Sequence, residues 1–207
     1  MTNPPKGSAR AQHRRAEILQ AAHEVFTSRG FRNGSLGEIA ERVGITHQGV
    51  LHYFGSKEAL LVEVLRDRDL GDRHEFREGR RPVGVAFVDH LITTVTLNTR
   101  RSAIVQAYTV LSAESVTEGH PAQAWFRDRF AALRIEVGDA LRSICGPEPV
   151  VPEQELKDAA SAVIAVMDGL QVQWLLDPAA VDMPRTVRAM IDALLAGWGR
   201  PPLSGVP

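Results

Sequence analysis

The side chains best suited to chemistry are concentrated between residues 44 and 61, GITHQGVLHYFGSKEALL, where two histidines, a glutamine, a tyrosine and a lysine accompany three glycines. If Ile45, Val50 and Phe54 face inward, the polar side chains point outward on a helix of about two turns. These outward-pointing residues are Thr46, His47, Gln48, Gly49 and His52. Their donors and acceptors can pair with base edges, and a DNA major groove admits such a helix. The segment therefore predicts a helix that reads DNA, and Gly49 would let it approach closely.

The alternative for His47, Gln48 and His52 is that they are ordinary exposed polar residues. A shared metal ion is not expected, because His47 and His52 are five residues apart and lie on different faces of a helix. The sequence shows no zinc-ligand spacing and no glycine-rich phosphate loop, so we predict no metal site, no cofactor and no catalytic residue.

A lysine follows directly after Ser56, the predicted N-cap of a fourth helix. Lys57 opposes the helix dipole by roughly a few tenths of a kcal/mol unless an anion lies in front of it. A DNA phosphate fits that requirement, and Tyr53 could donate its hydroxyl to the same strand. These two residues therefore predict contacts with the DNA backbone.

Three short helices must hold these side chains in place. Helix one begins near Arg14 and ends at Gly30, helix two runs from Ser35 to Gly44, and helix three is capped by Thr46. A helix-turn-helix needs a small residue where its helices cross, a glycine in the turn and an apolar residue on the inner face. Ala40, Gly44 and Val50 supply them at offsets of about four and ten residues.

Charge is divided unevenly along the 207 residues, although the net charge is only -1. Residues 1 to 57 carry eight basic and four acidic residues, whereas the rest has an acidic excess. The excess predicts that the first quarter meets a polyanion; a solvated surface is the alternative. The single cysteine, Cys145, excludes an internal disulfide framework. With no long apolar run and no signal pattern, we predict a cytoplasmic protein without a membrane partner.

The sequence from residue 15 to residue 61 closely resembles the N-terminal domain of the tetracycline-repressor (TetR) family of bacterial regulators. The resemblance runs without a gap through Phe26, Gly30 and Phe31, the turn, and the Phe-x-Ser-Lys-Glu pattern at 54 to 58. It implies an all-helical homodimer with a three-helix DNA-binding head and a larger helical body that holds a small-molecule pocket. It also implies repression that effector binding relieves.

Carried over residue by residue, the resemblance implies specific DNA contacts. The implied phosphate contacts are Ser35, Tyr53 and Lys57, and the implied base contacts are His47, Gln48 and Gly49. Arg14, at the start of helix one, is added to the DNA-binding candidates. This chain has Leu51 where the family usually has a tyrosine, so either Tyr53 compensates or Leu51 contacts a thymine methyl.

The rest of the chain is predicted to be entirely helical, with helices near 83–99, 102–117, 122–144, 154–176 and 184–198. We expect a basic arm at 1–13, a helix-turn-helix domain at 14–56, an effector-binding and dimerisation domain at 57–200 and a tail at 201–207. Two apolar stripes on the last two helices predict self-association through a family-like four-helix interface, with intramolecular core as the alternative. The predicted interface residues are Val163, Met167, Leu170, Trp174, Leu194 and Trp198.

Polar residues set among apolar ones in the body are candidates for an effector pocket, because unpartnered buried polar groups cost about 1 to 3 kcal/mol each. These candidates are His90, Thr94, Gln106, Tyr108, Thr109, Asp168 and Gln171. The favoured function is a ligand-responsive repressor released from a palindromic DNA operator by a small-molecule effector. The alternatives are an all-helical enzyme, for which the sequence has no recognisable catalytic frame, and a DNA-binding adaptor without an effector.

Overall fold

The structure, a computed structural model, describes residues 6–74, 82–148 and 150–203. Every element in these ranges is helical, with no β-strand, which confirms the predicted all-α class. The helices are α1 (Lys6–Asn33), α2 (Leu36–Val43), α3 (His47–Phe54), α4 (Lys57–His74), α5 (Val85–Asn98), α6 (Ser102–Glu114), α7 (Gln123–Cys145), α8 (Glu153–Leu176) and α9 (Met183–Gly197).

The first helix is longer than the sequence predicts. The expected arm at 1–13 is wrong for residues 6–13, which are helical and continue into α1, while residues 1–5 lie outside the described residues. At the other end, α1 is interrupted at the predicted stop, where Gly30 has φ 75° and ψ 164°. A residue with a side chain rarely adopts that conformation, so glycine permits the chain to turn there.

The corner between α2 and α3 is a Schellman motif. Gly44 adopts the left-handed conformation, with φ 69° and ψ 40°. Its N–H donates to the Glu41 carbonyl at 3.1 Å, and the Ile45 N–H donates to the Ala40 carbonyl at 3.0 Å. These two bonds satisfy carbonyls at the end of α2 and fix the direction in which α3 leaves.

The described chain packs into two compact units. The first unit comprises the described residues up to Gly71 together with Ala103–Gln123, so it contains α6 as well as α1–α3 and most of α4. Its core contains fully buried side chains from all five of these helices, among them Ile18, Phe26 and Ile39. The predicted boundary at residue 56 differs from this division, because the first unit also takes in later helices.

The second unit contains α5, α7, α8 and α9. Its apolar core joins side chains from all four helices, including Leu91, Leu141, Val163 and Ile191. The predicted tail begins as part of this core, because Leu203 is only 5% exposed and its N–H donates to the Asp192 carboxylate at 2.8 Å. Residues 204–207 lie outside the described residues.

In the described ranges, Glu153–Leu176 (α8) alone is long and apolar enough to cross a membrane by length and composition, with a mean hydropathy of 1.4. This α8 helix contributes Leu156, Ala160 and Val163 to the core of the second unit. Core helices of globular domains pass the same test, so the observation is weak evidence for a membrane span.

Candidate nucleic-acid interface

The third helix is held by its apolar side and by its N-cap. Val50 is fully buried and Phe54 is 9% exposed, while Ile45 is half-buried before the helix begins. The Thr46 hydroxyl oxygen accepts a hydrogen bond from the Gly49 N–H at 3.0 Å, which satisfies one of the free donors of the first turn. A two-turn helix is marginal alone, so this anchoring gives α3 its definite orientation.

The opposite side of α3 carries polar groups that have no hydrogen-bond partner in the described chain. His47, Gln48 and His52 are exposed, and their side chains make no hydrogen bond with any described residue. Only a T-shaped ring contact joins His52 to Tyr53, at 5.9 Å between centroids. The donors and acceptors of these three side chains therefore remain open to an external partner such as DNA base edges.

Gly49 lies on the same helix, and packing within the protein does not require a glycine at this position. A Cβ atom built there would lie 3.4 Å from Thr46 Oγ1 and 3.6 Å from Ile45 atoms, which are ordinary contact distances. The fold would therefore accept alanine, a residue that favours helix by about 1 kcal/mol over glycine. The absence of a side chain at this position instead suits the close approach of another surface.

Hydroxyl caps stand at the start of three successive helices. Ser35 Oγ accepts from the Glu38 N–H, Thr46 Oγ1 from the Gly49 N–H, and Ser56 Oγ from the Ala59 N–H, each at 3.0 Å. Accepting this bond leaves the hydroxyl hydrogen available, because a serine or threonine hydroxyl both donates and accepts. Ser35 is exposed and retains a donor that suits a phosphate oxygen.

Lys57 stands at the first position of α4 and is held by the end of α1. Its Nζ donates to the Arg32 carbonyl at 3.3 Å and lies 4.6 Å from the centroid of the Phe31 ring. Burial lowers the pKa of the Lys57 ammonium from its ordinary value, and the nearby Glu58 carboxylate opposes that shift. An ammonium has three donors, so this group can still bind an anion.

Arg14, a DNA-binding candidate predicted from the sequence, makes its contacts inside the protein. Its Nη1 donates to the Val43 carbonyl at 2.9 Å, at the end of α2, and pairs with the Glu17 carboxylate at 3.0 Å. A cation that caps the last carbonyls of a helix complements the negative end of the dipole. Arg14 therefore joins α1 to the corner that positions α3.

Several acidic side chains of the first unit, among them Glu24, Glu38 and Glu63, are paired with arginines. Arg42 contacts Glu24 at 3.3 Å and Glu38 at 3.1 Å on one side. The Glu63 carboxylate accepts hydrogen bonds from Arg15 and Arg66. Burial by itself would raise the pKa of Glu63, but the hydrogen bonds and charges of these two arginines hold that pKa below its ordinary value. Pairing lowers the repulsion that free carboxylates would exert on a polyanion.

The predicted effector residues are distributed over both units. Gln106, Tyr108 and Thr109 lie on α6 in the first unit, where Tyr108 is buried and Gln106 is exposed. The other candidates lie on α5 and α8 in the second unit; they are His90, Thr94, Asp168 and Gln171. Gln171 is buried at 7% exposure among apolar neighbours on α8, whereas His90 and Thr94 are half-buried.

Two further features of the second unit bear on polar recognition. Burial raises the pKa of the Asp168 carboxyl to about 6, and the charge of Arg129 opposes the shift. Asn98 is 4% exposed, and its Oδ1 has no hydrogen-bond partner among the described residues. The sequence interpretation missed Asn98, although it continues the apolar stripe of α5 through Phe87, Leu91 and Val95. A polar amide within an apolar stripe is the sequence pattern from which a buried Asn98 could have been predicted.

The predicted self-association residues separate into two groups. Val163, Leu170 and Trp174 are buried in the core of their own chain, so they are not available to a second copy. The remaining three are half-buried against that core; they are Met167, Leu194 and Trp198. Trp198 Nε1 also donates to the Glu155 carboxylate at 3.1 Å. Exposed apolar residues of α8 are instead Val172 at 43% and Leu176 at 82%.

Two family models match this chain. One is described as bacterial regulatory proteins, tetR family, and matches residues 18–64; the other is described as BetI-type transcriptional repressor, C-terminal, and matches residues 85–197. The first covers the helix-turn-helix and the start of α4, and the second covers α5 to α9. Together the two models match residues in both units.

Individual proteins are similar along most of the chain. HTH-type transcriptional regulator BetI 1 of Chromohalobacter salexigens is 28% identical over 185 residues, 86% of this chain and 87% of that protein. HTH-type transcriptional regulator TtgR of Pseudomonas putida is 28% identical over 194 residues, 88% of this chain and 90% of that protein. The crystal structure of Thermus thermophilus FadR, a TetR family repressor in complex with lauroyl-CoA, has a TM-score of 0.65 at 22% identity, covering 88% of this chain and 94% of that chain. The structural likeness supports the fold.

Proposed function

This chain belongs to the tetR family of bacterial regulatory proteins, and from that premise we propose that it is a cytoplasmic repressor that a small-molecule effector releases from its operator. The operator is double-stranded DNA, read in the major groove by α3. A homodimer would present two copies of α3, so the operator would be roughly palindromic.

The observation that carries this proposal is the exposed side of α3. His47, Gln48 and His52 have no hydrogen-bond partner among the described residues, although the opposite side of the same helix is fixed by Val50 and Phe54. A rigid helix with unused donors and acceptors can discriminate bases, because its side chains need little reorganisation on binding. Lys57, Ser35 and Tyr53 would supply sequence-independent contacts with phosphates.

Two substitutions separate base contacts from phosphate contacts. Gln48→Ala is expected to lower discrimination between operator and random DNA about tenfold, because one base contact is lost. Lys57→Ala is expected to weaken binding to both DNAs and to reduce the slope of log affinity against log salt by about one. Affinities would be measured at several salt concentrations, using a duplex selected from a random pool by the wild-type protein and a random-sequence duplex.

Gln20→Ala is the matched control, since Gln20 is an exposed glutamine on α1 whose side chain bonds only Glu24 among the described residues. It should bind both duplexes as the wild type does. Equal effects of Gln48→Ala and Lys57→Ala on discrimination and on salt slope would contradict the assignment of roles. Failure of the wild-type protein to bind any duplex at low salt would refute the proposed function itself.

We propose that the effector binds within the second unit, where Asn98, Asp168 and Gln171 lie. Burying the amides of Asn98 and Gln171 and the carboxyl of Asp168 is costly unless a bound molecule or water completes their hydrogen bonds. FadR, which shares the fold, was crystallised with lauroyl-CoA, so this architecture can hold an organic ligand. The effector would act by its differential affinity for the conformations that bind and release DNA.

For the homodimer we propose the exposed sides of α8 and α9. Val172→Glu is expected to weaken self-association at least tenfold, since a buried valine contributes about 1.5 kcal/mol and the new charge would be desolvated. Ile135→Glu on α7 is the matched control, because Ile135 is also exposed, at 64%. Light scattering after size-exclusion chromatography would measure both variants. A wild-type monomer, or dissociation by Ile135→Glu alone, would contradict this interface.

A further inference from the structure

Lys57 joins the start of α4 to the end of α1 in the first unit. After the turn at Gly30, the Phe31 ring and the Arg32 carbonyl both contact Lys57, which lies 25 residues further along the chain. The ring itself is fixed by an edge contact with Phe26, at 5.6 Å between centroids, and Phe26 is fully buried. The ring that contacts the ammonium is therefore anchored in the core.

The charge of this lysine is only partly offset inside the described chain, because the nearby Glu58 carboxylate favours the charged form without forming an ion pair. Lys57 makes no ion pair with any described carboxylate, whereas Arg14, Arg15 and Arg42 of the same unit each pair with a glutamate. A contact that served only to join α1 to α4 would gain more from a carboxylate than from a neutral carbonyl. The contacts with Phe31 and Arg32 fix the position of the Lys57 ammonium, and its positive charge can still attract an external anion.

From these contacts we infer that Phe31 is a positioning residue, which holds the Lys57 ammonium ready for a DNA phosphate before DNA arrives. The inference rests on the proposed function, because it assumes that Lys57 contacts the DNA backbone. One N–H of the ammonium is directed to Arg32, and the aromatic face covers another side. The remaining donor capacity is available to an anion. Ordering a flexible lysine in advance removes much of the entropy cost of immobilising it on binding.

The inference is tested by a double-mutant cycle on the full-length protein. Phe31→Leu keeps an apolar side chain and removes the ring, so it should weaken binding to the selected duplex about two- to fivefold, the equivalent of one exposed cation–π contact. In a Lys57→Gln background the same change should have no effect. Phe31→Tyr retains the ring and should bind as the wild type does.

The slope of log affinity against log salt distinguishes the loss of a phosphate contact from a general loss of structure. Lys57→Gln should reduce the salt slope by about one, whereas Phe31→Leu should leave it unchanged, because the lysine still displaces a counterion. Circular dichroism would check that each variant keeps its helix content.

Equal weakening by Phe31→Leu in both backgrounds would overturn the inference, since Phe31 would then support the fold alone. So would a Phe31→Leu protein that binds as the wild type does. An unchanged affinity in Lys57→Gln would remove the phosphate contact on which the inference rests. Failure of the wild-type protein to bind DNA would instead refute the proposed function, and with it this inference.

Discussion

Replacing Gly49 with alanine is expected to stabilise the first unit while weakening operator binding about a hundredfold. The structure has room for the methyl group at 3.4–3.6 Å from Thr46 and Ile45, so alanine should stabilise α3 by about 0.5 to 1 kcal/mol. On the DNA side the same methyl would separate the helix from the base edges. Contacts by His47 and Gln48 would be lost together, and each base contact is worth about 1 to 3 kcal/mol.

The opposite signs of these two effects make the prediction specific. Hydrogen–deuterium exchange of the α3 peptide would measure stability, and titration with the selected duplex would measure affinity. Thr27→Ala is the matched control, because Thr27 is exposed on α1 and alanine there also favours helix. It should stabilise the first unit without affecting DNA binding. An affinity for Gly49→Ala equal to that of the wild type would show that α3 does not approach DNA at this position.

Local features of the helix-turn-helix could be predicted because neighbouring residues determine them. The caps at Thr46 and Ser56, the left-handed glycine at Gly44 and the buried positions of Val50 and Phe54 all agree with the sequence prediction. Each depends on residue type and helical spacing within a few residues. The start of α1 was wrong because Gly7 and Ser8 disfavour helix, and propensity is a weak guide near a helix end.

Features that depend on tertiary packing could not be predicted in the same way. An apolar stripe can face the core of its own chain or a second copy, and spacing alone does not distinguish Val163 from Val172 on α8. The contact between Arg14 and the Val43 carbonyl spans 29 residues and involves a backbone group, which leaves no sequence pattern. The grouping of α6 with α1–α4 in one unit is also a long-range property of the fold.

Among the effector candidates, Asp168 gives the strongest physical signal, because burial raises the pKa of its carboxyl to about 6. In the unfolded chain the pKa of an aspartate is about 3.9. The folded protein therefore binds more protons than the unfolded chain between these two values, and its stability falls as pH rises through them. Above pH 6 the ionised carboxylate costs up to about 3 kcal/mol, roughly 1.4 kcal/mol for each unit of pKa. Proteins accept such costs where a group serves binding.

Replacing Asp168 with asparagine should remove this cost and make the gain in stability depend on pH. The free energy of unfolding should exceed that of the wild type by about 1 kcal/mol near pH 4.5 and by about 3 kcal/mol above pH 7. Urea unfolding followed by tryptophan fluorescence would measure it, since Trp125, Trp174 and Trp198 all lie in the second unit. Asp158→Asn, at an exposed position of the same helix, is the control for the loss of one carboxylate from α8 and would be measured at the same pH values.

The two variants together decide whether the Asp168 carboxyl is ionised in a desolvated environment. A gain for Asp168→Asn that is equal at both pH values would show that its effect comes from packing, because packing does not change with the ionisation of the wild-type carboxyl, whereas the attraction to the charge of Arg129 does. A gain that rises with pH would instead show that the folded chain retains a costly negative charge at neutral pH. An effector that donates hydrogen bonds or positive charge to this carboxylate would then recover part of that cost, and would bind more weakly to Asp168→Asn than to the wild type.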